Sequence, residues 1–294
     1  MTATVLNTGV DARVSLNGLG WCFAKVLSES ITETIRNEEI ICAHVDPEVE
    51  GDAVGREINK YIIHLDPDTP MLESLLPKMG LTLTTGVYYS DISLSSMAMV
   101  IDYGATAHSF AEAWITRVII RGGTSTVPVS MELHIVAGEE SDAGADPSIT
   151  DGDIDYIYGF PGSVLTAGGT VYTFDRFVFA MDRQLVFDYN SSNFITGVGR
   201  GKRNAIIATS TPYLAANKSV YWSNKTKIDG LAVSVLLTNG IDNITIAMPK
   251  SRPMVKSPSI LRPDEITRVP LTFEGRRQVS GGTSSFTVTI AAVP

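Results

Sequence analysis

Cysteine is almost missing from this chain. Only Cys22 and Cys42 occur among 294 residues, and they lack the C-x-x-C spacing. A disulfide framework in so long a chain needs more than that, so the pair reads as reduced, buried thiols of a protein made in a cytoplasm. Long apolar runs are missing too. No stretch approaches the roughly 20 residues of a membrane span. The opening MTATVLNTGVDARV has neither the basic nor the apolar region of a signal peptide, so no secretory route is expected. The sequons at Asn190, Asn217, Asn224 and Asn243 then read as chance in a Thr/Ser-rich chain. Basic excess is also lacking. The 23 Lys and Arg stand against 32 Asp and Glu, a formal net charge of −9. This disfavours sequence-reading of nucleic acid, which needs a basic face, but suits a surface past which nucleic acid slides.

Signatures of chemistry are equally scarce. G-x-S-x-G, G-x-x-x-x-G-K-[ST] and a post-strand G-x-G-x-x-G do not occur. His44, His64, His108 and His134 are scattered without metal-ligand spacing. Asp151, Asp153 and Asp155 resemble the start of a calcium loop. Tyr156 stands where the sharp turn needs Gly, however, and Gly162 where a bidentate Glu is needed, which excludes an EF-hand. The glycines and cations of TGVGRGKRN (196–204) lack phosphate-cradling spacing and read as a basic turn between strands. No catalytic, cofactor or metal residue is assigned, and a non-enzymatic protein is expected.

What the chain does have is strands. VPVSMELHIV (127–136) places Val129, Met131, Leu133 and Ile135 on one face, with Ser130, Glu132 and His134 on the other. SFTVTI (285–290) alternates in the same way. Period two with β-branched residues specifies half-buried strands. YIIHL (61–65), MAMVID (97–102), ITRVIIR (115–121), TVYTF (170–174), RFVFAM (176–181), QLVFDY (184–189), AIIAT (205–209), LAVSVLL (231–237), NITIAM (243–248) and ITRVPLTF (266–273) belong to the type. Turn residues separate them. DPDTPMLESLLPKMG (66–80) reads as a helix capped by Asp68 or Thr69. Pro70 and Glu73 fall in its first turn, and Pro77 and Gly80 end it. A second short helix is predicted at 211–222. The class is mainly β with a minor helical part, an α+β design.

The order of these segments repeats. INKYIIHL leads into DTPML and a helix, and KRNAIIAT leads into STPYL and a helix. Each is followed by an apolar strand, SMAMVIDYG or LAVSVLLTNG, and then by ITRV opening a hairpin. The matching places drift apart: Thr69 and Thr211 are 142 residues apart, Ile115 and Ile266 151. An amphipathic piece, SITETIRNEEI or RQLVFDYNSSN, precedes each series. Two tandem modules are expected, over 1–138 and 165–294, joined by an acidic linker over 139–164.

Two charged stretches stand out as candidate contacts between copies. No Lys or Arg occurs between Gly122 and Asp175, where Glu139, Glu140, Asp142, Asp151, Asp153 and Asp155 cluster. PKSRPMVKSPSILRP (249–263) carries Lys250, Arg252, Lys256 and Arg262 with four prolines, so it is expected to run extended. Opposite patches on one chain recruit identical chains head to tail.

SESITETIRNEEI with GREINKYIIHLDPDTPMLESLL, and GKRNAIIATSTPYL with IDGLAVSVLLTNGIDNITIAMPKSRP, EITRVPLTFEGRR and SFTVTIAAV, resemble the tail tube proteins of long-tailed bacteriophages. The likeness covers residues 14–137 and 165–292. It implies β-sandwich or β-barrel modules, each with a short flanking helix, closing into rings with a continuous inner β-barrel. Such rings stack into a hollow tube that conducts viral DNA, without sequence-specific binding, during ejection. The implied partners are other copies of the chain and the tape measure, terminator and distal tail proteins. The implied location is the virion, after synthesis in the host bacterium. Six modules per ring from a two-module chain make a trimer, with a hexamer of larger subunits as the alternative. A polar or acidic lumen is expected. A tail terminator or distal tail ring protein is the nearest alternative, and a carbohydrate-binding β-sandwich adhesin is the alternative of another class. For the adhesin, Trp21, Trp114 and Trp222 lie too far apart in sequence to suggest a platform.

Overall fold

A computed structural model describes residues 13–21, 25–33, 56–90, 94–102, 107–123, 128–144, 157–189, 195–212, 230–255, 268–276 and 284–293. Apart from one two-stranded ribbon and one helix, the regular elements join a single sheet of 18 strands, so the chain is mainly β as its period-two segments require.

The chain starts with a tight hairpin, β1 (Arg13–Leu16) and β2 (Leu19–Trp21), whose turn residues Asn17 and Gly18 both have positive φ. Asn-Gly is the dipeptide that tolerates this conformation best. Next come β3 (Lys25–Glu33) and β4 (Arg56–Leu65), an antiparallel pair. Helix α1 (Thr69–Lys78) and the hairpin of β5 (Leu81–Thr84) and β6 (Val87–Ser90) follow. Then come β7 (Met97–Asp102), the long β8 (Ala107–Gly123), β9 (Ser130–Ala137) and β10 (Glu140–Gly144). β1 pairs with β7, β7 with β8, and β9 with β4. One margin of β8 carries β9 and β10 in succession.

The chain continues with the hairpin of β11 (Gly159–Ala167) and β12 (Thr170–Tyr172), then β13 (Arg176–Arg183). The separate ribbon of β14 (Val186–Tyr189) and β15 (Ile195–Gly199) leads to β16 (Arg203–Pro212). The last strands are β17 (Leu231–Thr238), β18 (Asp242–Val255), β19 (Arg268–Gly275) and β20 (Thr287–Ala292). β11 pairs with β17, β17 with β18, β13 with β16, and β16 with β19, and one margin of β18 carries β19 and β20. This is the connectivity of β1–β4 and β7–β10 over again. The irregularities coincide as well. β7 slips against β8 between Met97 and Met99, and β17 slips against β18 between Leu231 and Val233.

The register corrects the sequence reading. Ala113 of β8 lies between Met97 and Ala137, and Ser251 of β18 lies between Leu231 and Gly275. By pairing, then, β8 corresponds to β18 and β9 to β19. The two ITRV strings therefore do not match, since Ile115–Val118 lies within β8 while Arg268 and Val269 open β19. Nor do β19 and β20 form the expected hairpin: they lie one after the other along β18. A four-residue identity carries little weight beside a pairing register, because a one-residue slip turns every side chain to the opposite face. With the register read from pairing, Met131, Leu133 and Ile135 take the places of Val269, Leu271 and Phe273, all of them buried.

The proposed linker is also shortened. Residues 140–144 pair with β8 and 159–167 with β17, while Asp151, Asp153 and Asp155 lie outside the described residues. Two joints cross the middle of the chain, where β13 pairs with the far half of β8 and β20 pairs with β6. The buried apolar side chains form one cluster.

α1 starts where expected. Asp68 is the N-cap, accepting from Met71 N at 2.8 Å, and is itself buried. Glu73 lies beyond the first turn, and Pro77 sits inside the last turn rather than ending the helix; the chain leaves through Gly80 at φ 76°. Met71, Leu72, Leu75 and Leu76 face the core. Asp68→Ala is expected to lower stability by about 1–2 kcal/mol, near the upper end for a lost cap because the freed N–H is buried. Urea unfolding of the two proteins measures it. Of the helix expected at 211–222, Thr211 and Pro212 end β16 and the remainder lies outside the described residues.

Candidate functional site

The cationic candidates divide. Lys250 and Arg252 lie on β18; Lys256 and Arg262 lie outside the described residues. As far as Val255 the segment runs extended, as an integral strand, and the rest lies outside the described residues. Ser251 to Val255 pair with β19, placing Arg252 opposite Glu274. Pro253 lies within this paired stretch, opposite Phe273. Arg252 and Met254 are exposed, and Lys250 is half-buried. Ser251 is fully buried at the bulge, its hydroxyl donating to Leu231 O at 2.6 Å.

The acidic candidates sit elsewhere. Glu139 and Glu140 are exposed, Asp142 stands opposite His108 in the β10–β8 register, and Glu140 pairs with His108. Among the described residues no ion pair joins the acidic group to the cationic one. Among them, too, no group of three or more His, Cys, Asp or Glu side chains could hold a metal ion. Of the stretch expected as a basic turn at 196–204, only residues 200–202 lie between β15 and β16, with Gln184 N donating to Lys202 O. Trp114 packs edge-on against Phe187 at 5.9 Å.

A charged cluster that single-residue reading missed lies across β4, β8 and β9. Glu132 accepts from Arg121 at 2.6 Å, lies 2.7 Å from His134 Nε2 and is 3.9 Å from His64 Nδ1. His134 shares the strand and face of Glu132, while positions 64 and 121 are brought to it by pairing. Burial alone pushes the Glu132 carboxyl up, but the bonds from His134 and Arg121 outweigh it and hold the group below the ordinary range. A depressed carboxyl contributes stability that is present above its unfolded value and lost as pH falls through its folded one. Acid unfolding of Glu132→Gln is therefore expected to depend less on pH below about 4.5 than that of the wild type.

Open strand margins are the other surface feature. β3 pairs with β4 and, among the described residues, with no other strand. β18 beyond Ser251 pairs, among the described residues, on its β19 side only. Unpaired N–H and C=O groups along a strand are a template for another strand.

The chain matches no protein-family model and no curated protein sequence.

Proposed function

We propose that this chain is a structural, non-enzymatic virion protein, the subunit of a phage tail tube. Its two tandem modules and those of its neighbours close into rings, and stacked rings form the conduit for viral DNA. The observation that carries the reading is the recurrence of one strand connectivity, bulge included, before and after β11, with the two sets already joined strand to strand by β8 and β13. A chain that joins two like units edge to edge, and still has open margins at both ends of the series, is suited to continue the same joint with further copies. Three chains then supply six modules, and a hexamer is the alternative. The overall acidity favours sliding, because a basic lumen would hold DNA by releasing its counterions.

Negative-stain microscopy of the purified protein tests this. Tubes or stacked rings are the expected result. Isolated rings that never stack would favour a terminator or distal tail role, and monomers that bind glycans an adhesin. Both would overturn the tube reading. The cationic end of β18 and the acidic group at β10 supply opposite charges for the approach of copies. Lys250→Glu with Arg252→Glu is therefore expected to slow assembly at least severalfold at low salt, with a smaller effect at ~0.15 M, where the Debye length is about 8 Å. Light scattering during assembly measures it.

A further inference from the structure

We infer that the open margin of β3 is the docking site for a second copy of this chain, which presents the margin of its β18 facing away from β19, in the register that joins β13 to β8 within one chain. The inference rests on the reading of two like modules and names the strands that join them between chains.

The argument is one of position. Along β8, the margin opposite β9 carries β7 as far as Ala113 and then, from Arg117, β13. Along β18, the margin opposite β19 carries β17 as far as Ser251, the place of Ala113, and then no strand among the described residues. The strand that fills the gap on β8 is β13. Its counterpart is β3: Ser28 stands opposite Tyr61 as Phe179 stands opposite Ile207, and Tyr61 and Ile207 in turn face Ile135 and Phe273. β13 has β16 on one side and β8 on the other, whereas β3, among the described residues, has β4 on one side only. The chain thus holds one completed joint, and both halves of an identical joint left open.

The register follows once the β8 bulge between Ile115 and Arg117, which β18 lacks, is allowed for. Val118 faces Leu133 as Val255 faces Leu271, so Met254 takes the place of Arg117, which lies opposite Asp182. Three residues on from Ser28 is Ile31, the counterpart of Asp182, so Ile31 of one copy falls opposite Met254 of the next. Charge is consistent with the pairing, since the same register sets Glu33 of β3 opposite Arg252 of β18. Because the two margins differ, the contact is heterologous, and repetition generates a ring or a filament rather than a twofold dimer.

Cysteine pairs test the joint, since residues directly opposite in an antiparallel pair lie about 4.5–5.5 Å apart, within disulfide range. The background is the full chain with Cys22→Ser and Cys42→Ser. Ile31→Cys with Met254→Cys, or the adjacent Ser30→Cys with Val255→Cys, is expected to give an oxidation ladder of covalent oligomers. Mixing the two single variants should give dimers and nothing larger. Thermal melts of the single variants establish folding, and the second pair covers a first that does not fold. Rings or tubes under the microscope with neither pair cross-linking would overturn the joint while leaving the tube reading standing. A ladder without rings or tubes would support the joint and overturn the tube. Self-linked dimers of either single variant alone would overturn the head-to-tail geometry.

Discussion

Phe179→Ala is expected to remove about 3–5 kcal/mol of stability, the range for deleting a buried aromatic ring from a close-packed core. Phe179 lies on β13 and is 4% exposed, with its ring 5.4 Å from that of Phe286. Together with Leu72 and Leu76 of α1, Val118 and Ile120 of β8, and Ile246 of β18, it lines one small apolar cavity. Those residues come from both sides of the chain's midpoint, so the ring holds α1, the β8–β13 joint and the later strands in one core. Urea unfolding is expected to show one transition in both proteins, displaced to lower urea in the variant with little change of slope. Two transitions in the wild type, with the variant moving one alone, would show that the two halves fold separately despite the shared cluster.

Above pH 10 the wild type is expected to lose stability relative to Tyr158→Phe, by about 2–3 kcal/mol at pH 12. Tyr158 is completely buried. Its hydroxyl lies 2.9 Å from that of Thr69, which donates to Asp242 at 2.8 Å. Burial, together with the negative charges of Asp242, Asp68 and Glu73 and against the bond to Thr69, pushes the phenol up to about 12. A group whose folded value is raised gives stability that is fully present below its unfolded value, about 10, and lost as pH rises through the folded one. Comparison with the Phe variant isolates this group from others that titrate in the range, including Arg183, which burial lowers to about 10. Denaturant midpoints at pH 9 and pH 12 for both proteins supply the measurement. Equal losses in the two would remove Tyr158 from the account. At neutral pH, Tyr158→Phe removes one hydroxyl and is expected to cost only about 1 kcal/mol.

Much of the fold was legible because strands advertise themselves locally. The alternation of Val129, Met131, Leu133 and Ile135 predicted their inward face, and all four are buried. Asp68 and Pro70 marked the start of α1. The repeat was visible as a rhythm of segments but was aligned on the wrong string. ITRV drew attention because it is identical, whereas the places that correspond by pairing, such as Ile135 and Phe273, share only burial. The acidic stretch read as a linker because composition does not show that residues 140–144 lie along β8. The cationic arm is extended as far as Val255, but its role as a strand with one margin covered and, among the described residues, the other open depends on β19, a neighbour some 20 residues further along the chain.

By itself, then, the sequence determined the β class, the inward faces, the one described helix with its cap, and the acidic balance, since each follows from residues within a turn or two of one another or from a simple sum. The tertiary structure decided which strands adjoin, which string corresponds to which, how Glu132 gathers Arg121 and His64, and which margins stay open among the described residues. Those are properties of pairing between distant segments. Hydrogen bonds between backbones are nearly blind to side-chain identity, so partner and register are chosen by the burial of all the faces together and by no single stretch.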